Sequence, residues 1–150
     1  MSMRDKLLQD LQQAMRVKDI TRRDTLRLLR SALANAEIAT GHPLDEAEEM
    51  EVITQEAKRR RDAMNEYAPL GRQDLVEQAK TELTIIEEYL PRQMTRDELE
   101  VLVRQLVAEL AMKDSKSVGE IMRHVMPRVK GRAEGRLVND IVNDILSEKK

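Results

Sequence analysis

The segment PRQMTRDELE, residues 91–100, decides the fold because it separates two groups of predicted helices. Pro91 cannot continue a preceding helix, since it lacks the backbone N–H and its ring clashes with the turn before it. Thr95 and Glu98 stand three positions apart, which is the spacing of a capping box at the start of a helix. One helix is therefore predicted to end at Pro91 and another to begin just after Thr95.

Four helices are predicted before this segment, within a domain of residues 1–93. Apolar residues recur there at three- and four-residue intervals, which is the spacing of one helical face. Ser2 and Thr21 are expected to cap the first two helices, and the third is expected over residues 46–67. Arg60 lies on the inward line of the third helix, so we expect a carboxylate to pair with it and join the third helix to the fourth.

Three shorter helices are predicted after the segment, within a domain of residues 94–150. Ser117 and Glu120 repeat the capping-box spacing and open the second of these helices. Pro127 and Gly131 are expected to end it. The chain is thus predicted to be all-α, with an N-terminal bundle of about four helices followed by a small C-terminal three-helix domain.

Composition restricts the classes of function. The 150 residues carry a formal net charge of −2, so the protein is not a general binder of polyanions by charge alone. Cysteine is absent, which excludes a thiol nucleophile and a thiolate metal site. No apolar run approaches the roughly 18 residues of a membrane span. We expect a cytoplasmic protein that does not enter a membrane.

No pattern in the sequence indicates catalysis. The two histidines, His42 and His124, have no second ligand at HxH or HxxxH spacing, so no metal site is predicted. The motif GRAEGR, residues 131–136, does not follow a strand, which argues against a nucleotide-binding fingerprint. We therefore assign no catalytic residue, no metal and no cofactor.

The stretch MPRVKGRAEGRLVNDIV, residues 126–142, is the candidate binding site. Between Arg123 and Arg136, five basic residues stand against one acid in 14 positions. The start of the last helix adds backbone N–H groups and a positive dipole, which together favour an anion. The alternative is a turn made by two glycines, with charges that only keep it soluble. The candidate residues are Arg128, Lys130, Gly131, Arg132, Gly135 and Arg136.

A second basic ridge consists of Arg23, Arg27 and Arg30, which share one face at helical spacing. These side chains could contact phosphates or pair with acids of the third helix, and pairing is the favoured interpretation. Because only two aromatic residues are present, base stacking on single-stranded RNA is not favoured. Carboxylates on the exposed face of the last helix oppose insertion into a DNA groove. The remaining nucleic-acid ligand is a structured RNA, recognised by the shape of its backbone.

The sequence resembles the YqeY-like proteins, small bacterial proteins of the GatB/YqeY group. The resemblance rests on two blocks, RRRDAMNEYAPLGRQDLVEQAKTELTIIEEYLPRQ at residues 59–93 and VGEIMRHVMPRVKGRAEGRLVNDIV at residues 118–142. The segment DTLRLLRSALANAEI, residues 24–38, fits as well. The resemblance therefore covers nearly the whole chain.

The resemblance implies an all-helical protein whose C-terminal part is similar to the tail domain of the B subunit of the glutamine-dependent tRNA amidotransferase. In that enzyme the tail helps to hold the tRNA, while the chemistry occurs elsewhere. A label of carbon–nitrogen ligase with glutamine as amido-N-donor is therefore expected for the family. The sequence itself shows no ATP-binding cradle and no amidase Ser/Lys machinery, so whether the chain has any enzymatic activity stays open.

Three functions remain as alternatives. The first is a tRNA amidotransferase-like accessory protein, which would bind tRNA or another structured RNA through Lys130, Arg132 and Arg136, with Arg128 at the edge. The second is a protein–protein adaptor of the translation machinery, which would use the acidic third helix. The third is a carbon–nitrogen ligase. The sequence favours the first function, but it identifies neither the RNA, nor a protein partner, nor the oligomeric state.

Overall fold

The computed structural model describes residues 2–111 and 117–148. These residues form seven α-helices and one short 3₁₀ helix, with no strand among them. The predicted all-α class is thereby confirmed. None of the described helices is both long enough and apolar enough to cross a membrane. The elements are α1 (Met3–Arg16), α2 (Ile20–Thr40), α3 (Glu46–Tyr67), a 3₁₀ helix (Ala68–Leu70), α4 (Gln73–Glu87), α5 (Arg96–Ala111), α6 (Val118–Val129) and α7 (Gly135–Glu148).

The chain divides into two compact units, unit 1 (Met1–Pro91) and unit 2 (Arg92–Lys150). In unit 1, α3 packs against α4, α1 packs against α2, and α2 also contacts α3 and α4. In unit 2 each of the three helices contacts the other two. Each unit buries its own hydrophobic core, which includes Leu29 and Ile53 in unit 1 and Val125 and Ile141 in unit 2.

Local capping signals set most of the helix starts. Ser2 caps α1 as predicted, and Thr95 and Glu98 exchange hydrogen bonds of 3.2 Å at the start of α5. The predicted cap of α2 at Thr21 is wrong, because the side chain of Asp19 accepts a hydrogen bond from the backbone N–H three residues on, at 3.1 Å. An aspartate at that position satisfies a helix N-terminus as well as a threonine does.

The end of α6 differs from the prediction. The helix continues through Pro127 to Val129, so the proline does not terminate it. Pro127 lacks the backbone N–H and its ring crowds the preceding turn. The full burial of Val125 and Val129 in the core of unit 2 holds that turn in place. The chain leaves the helix at Lys130, where ψ is 124°, and turns at Gly131, where φ is +76°.

Arg60 joins α3 to α4, as its inward position predicted. Its guanidinium lies 3.3 Å from a carboxylate oxygen of Glu56 on α3 and 3.4 Å from one of Glu82 on α4. The Arg60 side chain is 13% exposed and that of Glu56 is 8% exposed. A buried carboxylate requires such a partner because the interior does not solvate its charge.

Candidate nucleic-acid interface

The candidate binding residues surround the connection between α6 and α7. Lys130 caps the C-terminus of α6 with φ −55° and ψ 124°, and the buried Gly131 follows in the left-handed region. Left-handed backbone is unfavourable for residues with a Cβ atom, so the turn itself requires glycine at this position. Gly131 is thus explained by the turn rather than by the approach of a ligand.

Three hydrogen bonds tie this turn to residues 92–94, and we call them the clasp. The backbone N–H of Met94 donates to the carbonyl of Arg132 at 2.8 Å. Gln93 Nε2 donates to the carbonyl of Gly131 at 2.8 Å. Arg132 Nε donates to the carbonyl of Arg92 at 3.0 Å. The clasp thereby joins residues 92–94 to the rest of unit 2.

The clasp gives Arg132 a fixed position. A guanidinium has five N–H donors, and the bond to the Arg92 carbonyl uses only the one on Nε. The terminal nitrogens therefore keep their capacity to bind an anion, while the base of the guanidinium is anchored. Arg132 thus has a structural role in the turn, and the same bond holds its guanidinium in one position.

Arg128 and Arg136 flank the turn on the two helices. Arg128 lies in the last turn of α6 and Arg136 in the first turn of α7, and both are exposed. Neither side chain has an ion-pair partner within residues 2–111 and 117–148. Lys130 is exposed as well. Of the candidate cations, Arg128 and Arg136 are the ones with the fewest internal contacts.

Gly135 has a different role from Gly131. It is the first residue of α7, and a Cβ atom built there would meet the Cε atom of Met126 at 3.6 Å, an ordinary contact distance. Neither the backbone conformation nor the space around position 135 therefore requires a glycine. The interpretation of both glycines as equivalent turn residues is not supported by this geometry.

Replacement of Gly131 by alanine is expected to lower the free energy of unfolding by about 1–2 kcal/mol, because the Cβ atom disfavours the left-handed conformation. The matched variant Gly135→Ala is expected to change it by less than about 0.5 kcal/mol, since alanine is favourable in a helix. Urea denaturation followed by circular dichroism measures both variants. Equal losses in the two variants would contradict the assignment of the turn to Gly131.

Arg92 and Gln93 are part of the site but were missed by the sequence analysis. Arg92 forms an ion pair with Glu98 at 2.6 Å, and its hydrogen bond holds the pKa of that carboxyl below the usual range. The only sequence signal was a polar pair placed between Pro91 and a capping box. Their partners lie 38 and 40 positions further along the chain, which no rule of local spacing reaches.

The second basic ridge does not pair as predicted. Arg23 contacts Asp24 on the same helix at 2.9 Å, rather than an acid of α3. Arg27 and Arg30 are exposed, and within the described part of the chain neither has an ion-pair partner. The prediction failed because these side chains lie on the exposed side of α2, away from the buried leucines that face its neighbours.

No metal-binding arrangement is present among the described residues, where no group of three or more His, Cys, Asp or Glu side chains could hold an ion. His124 is exposed on α6, and its Nδ1 lies 2.8 Å from the carbonyl oxygen of Glu120. This contact within one helical turn orients the ring without a carboxylate partner. The candidate site is therefore a set of basic side chains around the turn between α6 and α7, which the clasp holds in place.

Comparison with known proteins gives one family and several fungal relatives. Residues 4–146 match the model of the Yqey-like protein family. The chain is 36% identical over 107 residues to the Lachancea thermotolerans protein named "altered inheritance of mitochondria protein 41, mitochondrial". Proteins of the same name from Kluyveromyces lactis and Saccharomyces cerevisiae are 35% identical over 108 residues and 30% identical over 122 residues.

These matches cover 69%, 69% and 77% of this chain, and 57%, 58% and 66% of the respective relatives. The chain thus spans little more than half the length of the first two.

The cytoplasmic location expected from the sequence is contradicted, because these relatives are named as mitochondrial proteins. Charge and hydropathy of a folded chain do not specify its compartment, which is why that expectation failed. Since the family model matches almost from end to end, the chain belongs to the Yqey-like protein family.

Proposed function

We propose that the chain is a tRNA amidotransferase-like accessory protein that binds a structured RNA, such as a tRNA, at the clasp of unit 2 and has no catalysis of its own. The clasp is the observation that carries the proposal. It fixes the Arg132 guanidinium against the backbone carbonyl of Arg92, at the turn whose two flanking helix ends carry Arg128 and Arg136. The Arg92 guanidinium is itself paired with Glu98, so it does not add to the cations of the turn.

The arrangement suits phosphate groups better than base edges. Guanidinium groups bind phosphate oxygens through two parallel N–H donors. The N-terminus of α7 adds a positive dipole next to Arg136. Glu134 lies within the turn and Asp140 follows one helical turn after Arg136, so the basic segment is short. Such a site fits a folded RNA that presents a few phosphates at fixed positions.

A filter-binding titration with bulk tRNA at low and high salt tests the proposal. We expect saturable binding that weakens steeply with salt, because each phosphate contact releases counterions. In the variant Arg128→Glu/Arg136→Glu the affinity is expected to fall at least about tenfold, and the salt slope by about two. Arg132 is left unchanged, since its loss would open the clasp and confound folding with binding.

The matched control is Arg27→Glu/Arg30→Glu, which makes the same change in net charge on exposed arginines of α2. Its affinity for tRNA is expected to stay within about twofold of wild type. Circular dichroism establishes that both variants are folded. The proposal fails if wild type shows no saturable binding at low salt, or if the two variants lose affinity equally.

A further inference from the structure

A cavity of about 270 Å³ opens at the corner between α1 and α2, in unit 1. The lining residues at the end of α1 are mostly apolar, and those at the start of α2 are partly apolar and partly charged. The volume is below the roughly 300–1,000 Å³ of sites for drug-sized ligands, and it is large enough for one or two side chains. The lining residues are Ala14, Met15, Lys18, Asp19, Ile20 and Arg23.

Exposed apolar side chains concentrate around this cavity. Met15 is 49% exposed, Val17 is 61% exposed and Ile20 is 60% exposed. A single exposed apolar residue is ordinary on a protein surface. Met15 and Ile20 line the cavity, and Val17 lies between them in the sequence. Three exposed apolar residues within six positions are the kind of cluster that marks an interaction site.

The backbone at this corner is strained at one residue. Lys18 has φ +60°, and it is the only residue other than glycine in the left-handed region within the described residues. The N–H of Asp19 donates to the carbonyl of Ala14 at 2.9 Å and closes the turn around it. Glycine would adopt this conformation without strain. Strained positions of this kind concentrate at functional sites, and here the strain places an ammonium group at the rim of the cavity.

Two of the six lining residues are basic, Lys18 and Arg23, and one is acidic, Asp19. Basic residues also outnumber acidic ones by six to two in the surrounding segment, residues 16–30, although the net charge of the chain is −2. Arg22 is engaged with Glu88 at 2.7 Å, and Arg23 is engaged with Asp24. Among the basic residues of this segment, those with no ion-pair partner within the described part of the chain are Arg16, Lys18, Arg27 and Arg30.

We propose that this corner docks an acidic amphipathic helix of a partner protein, which inserts an apolar side chain into the cavity. Carboxylates of the partner would lie against Arg16 and Lys18 on one side and against Arg27 on the other. An apolar floor with a cationic rim is complementary to a helix with an apolar stripe and acidic flanks. The concave floor accepts a protruding side chain, whereas a flat lipid surface would leave it unfilled. The site lies in unit 1 and is independent of the proposed RNA site.

Selection from a displayed library of helical peptides of about 14 residues, close to four turns, tests the proposal. The full chain is the bait, and enriched peptides are titrated by fluorescence anisotropy. We expect Asp- and Glu-rich sequences with apolar residues at i, i+3 or i+4 spacing. The variant Ile20→Glu is expected to bind them at least about tenfold more weakly, as truncation of a central anchor does.

The matched control is Ile38→Glu, which makes the same substitution on the same helix at a side chain that is 79% exposed and does not line the cavity. It is expected to bind as wild type does, within about twofold. The proposal is overturned if no acidic peptide is enriched, or if both variants bind equally. It is also overturned if vesicles of phosphatidylcholine and phosphatidylglycerol, rather than peptides, bind the chain in a manner lost only in Ile20→Glu.

Discussion

Replacement of Arg60 by alanine is expected to lower the free energy of unfolding of unit 1 by about 3–5 kcal/mol. The Glu56 side chain is 8% exposed, and the substitution removes its buried partner, the Arg60 guanidinium. It also removes the contact between Arg60 and Glu82 on α4. Urea denaturation followed by circular dichroism measures the change.

The control removes both charges together. In Arg60→Met/Glu56→Met the apolar pair replaces the ion pair, and most of the lost stability is expected to return, because no uncompensated charge stays buried. Arg59 contacts the same Glu56 at 3.2 Å, but its side chain is 63% exposed. If Arg60→Ala cost less than about 1 kcal/mol, Arg59 or solvent would be the effective partner of Glu56, and the role assigned to Arg60 would be wrong.

The substitution Ile141→Ala is expected to destabilise unit 2 by about 2–5 kcal/mol and to leave unit 1 unchanged. Ile141 is 1% exposed and lies in a core made entirely of aliphatic side chains. A unit of this size buries only about 60% of its surface, so its stability is small. Loss of one large side chain is therefore expected to unfold a considerable fraction of unit 2.

Hydrogen–deuterium exchange followed by mass spectrometry measures this prediction, since it reports each unit separately. Amides of α5, α6 and α7 should exchange faster in Ile141→Ala, whereas those of α1 to α4 should keep their wild-type rates. The conservative variant Ile141→Val should cost only about 1 kcal/mol. Faster exchange in both units would instead show that the two units unfold as one.

The fold was predictable where the signals are local. Ser2 and Thr95 cap the helices that the sequence assigned to them, because capping depends on residues three positions apart. The inward position of Arg60 followed from helical periodicity alone. The errors at Thr21 and Pro127 have the same cause, since another interaction outweighed each local signal. Asp19 caps α2 in place of Thr21. The packing of Val125 and Val129 keeps the last turn of α6 helical despite Pro127.

The candidate site was predictable only in part. The sequence located the basic turn around Gly131, because glycine and clustered arginines are visible without a structure. It could not show that Arg132 is anchored by the Arg92 carbonyl, since that contact joins residues 40 positions apart. The pairing of Arg27 and Arg30 with α3 was predicted wrongly because a shared helical face does not tell which neighbour, if any, that face meets. The RNA-binding role assigned to these residues stays a prediction until tRNA binding is measured.

The clasp also determines how a mechanical load would reach unit 2. Tension along the chain from Pro91 arrives first at residues 92–94, which are tied to the turn between α6 and α7. The same segment is also tied to the start of α5, because Arg92 pairs with Glu98. Rupture of the clasp would release the Arg132 guanidinium from the Arg92 carbonyl. We therefore expect tension on the segment after Pro91 to loosen the turn between α6 and α7 and the start of α5 together.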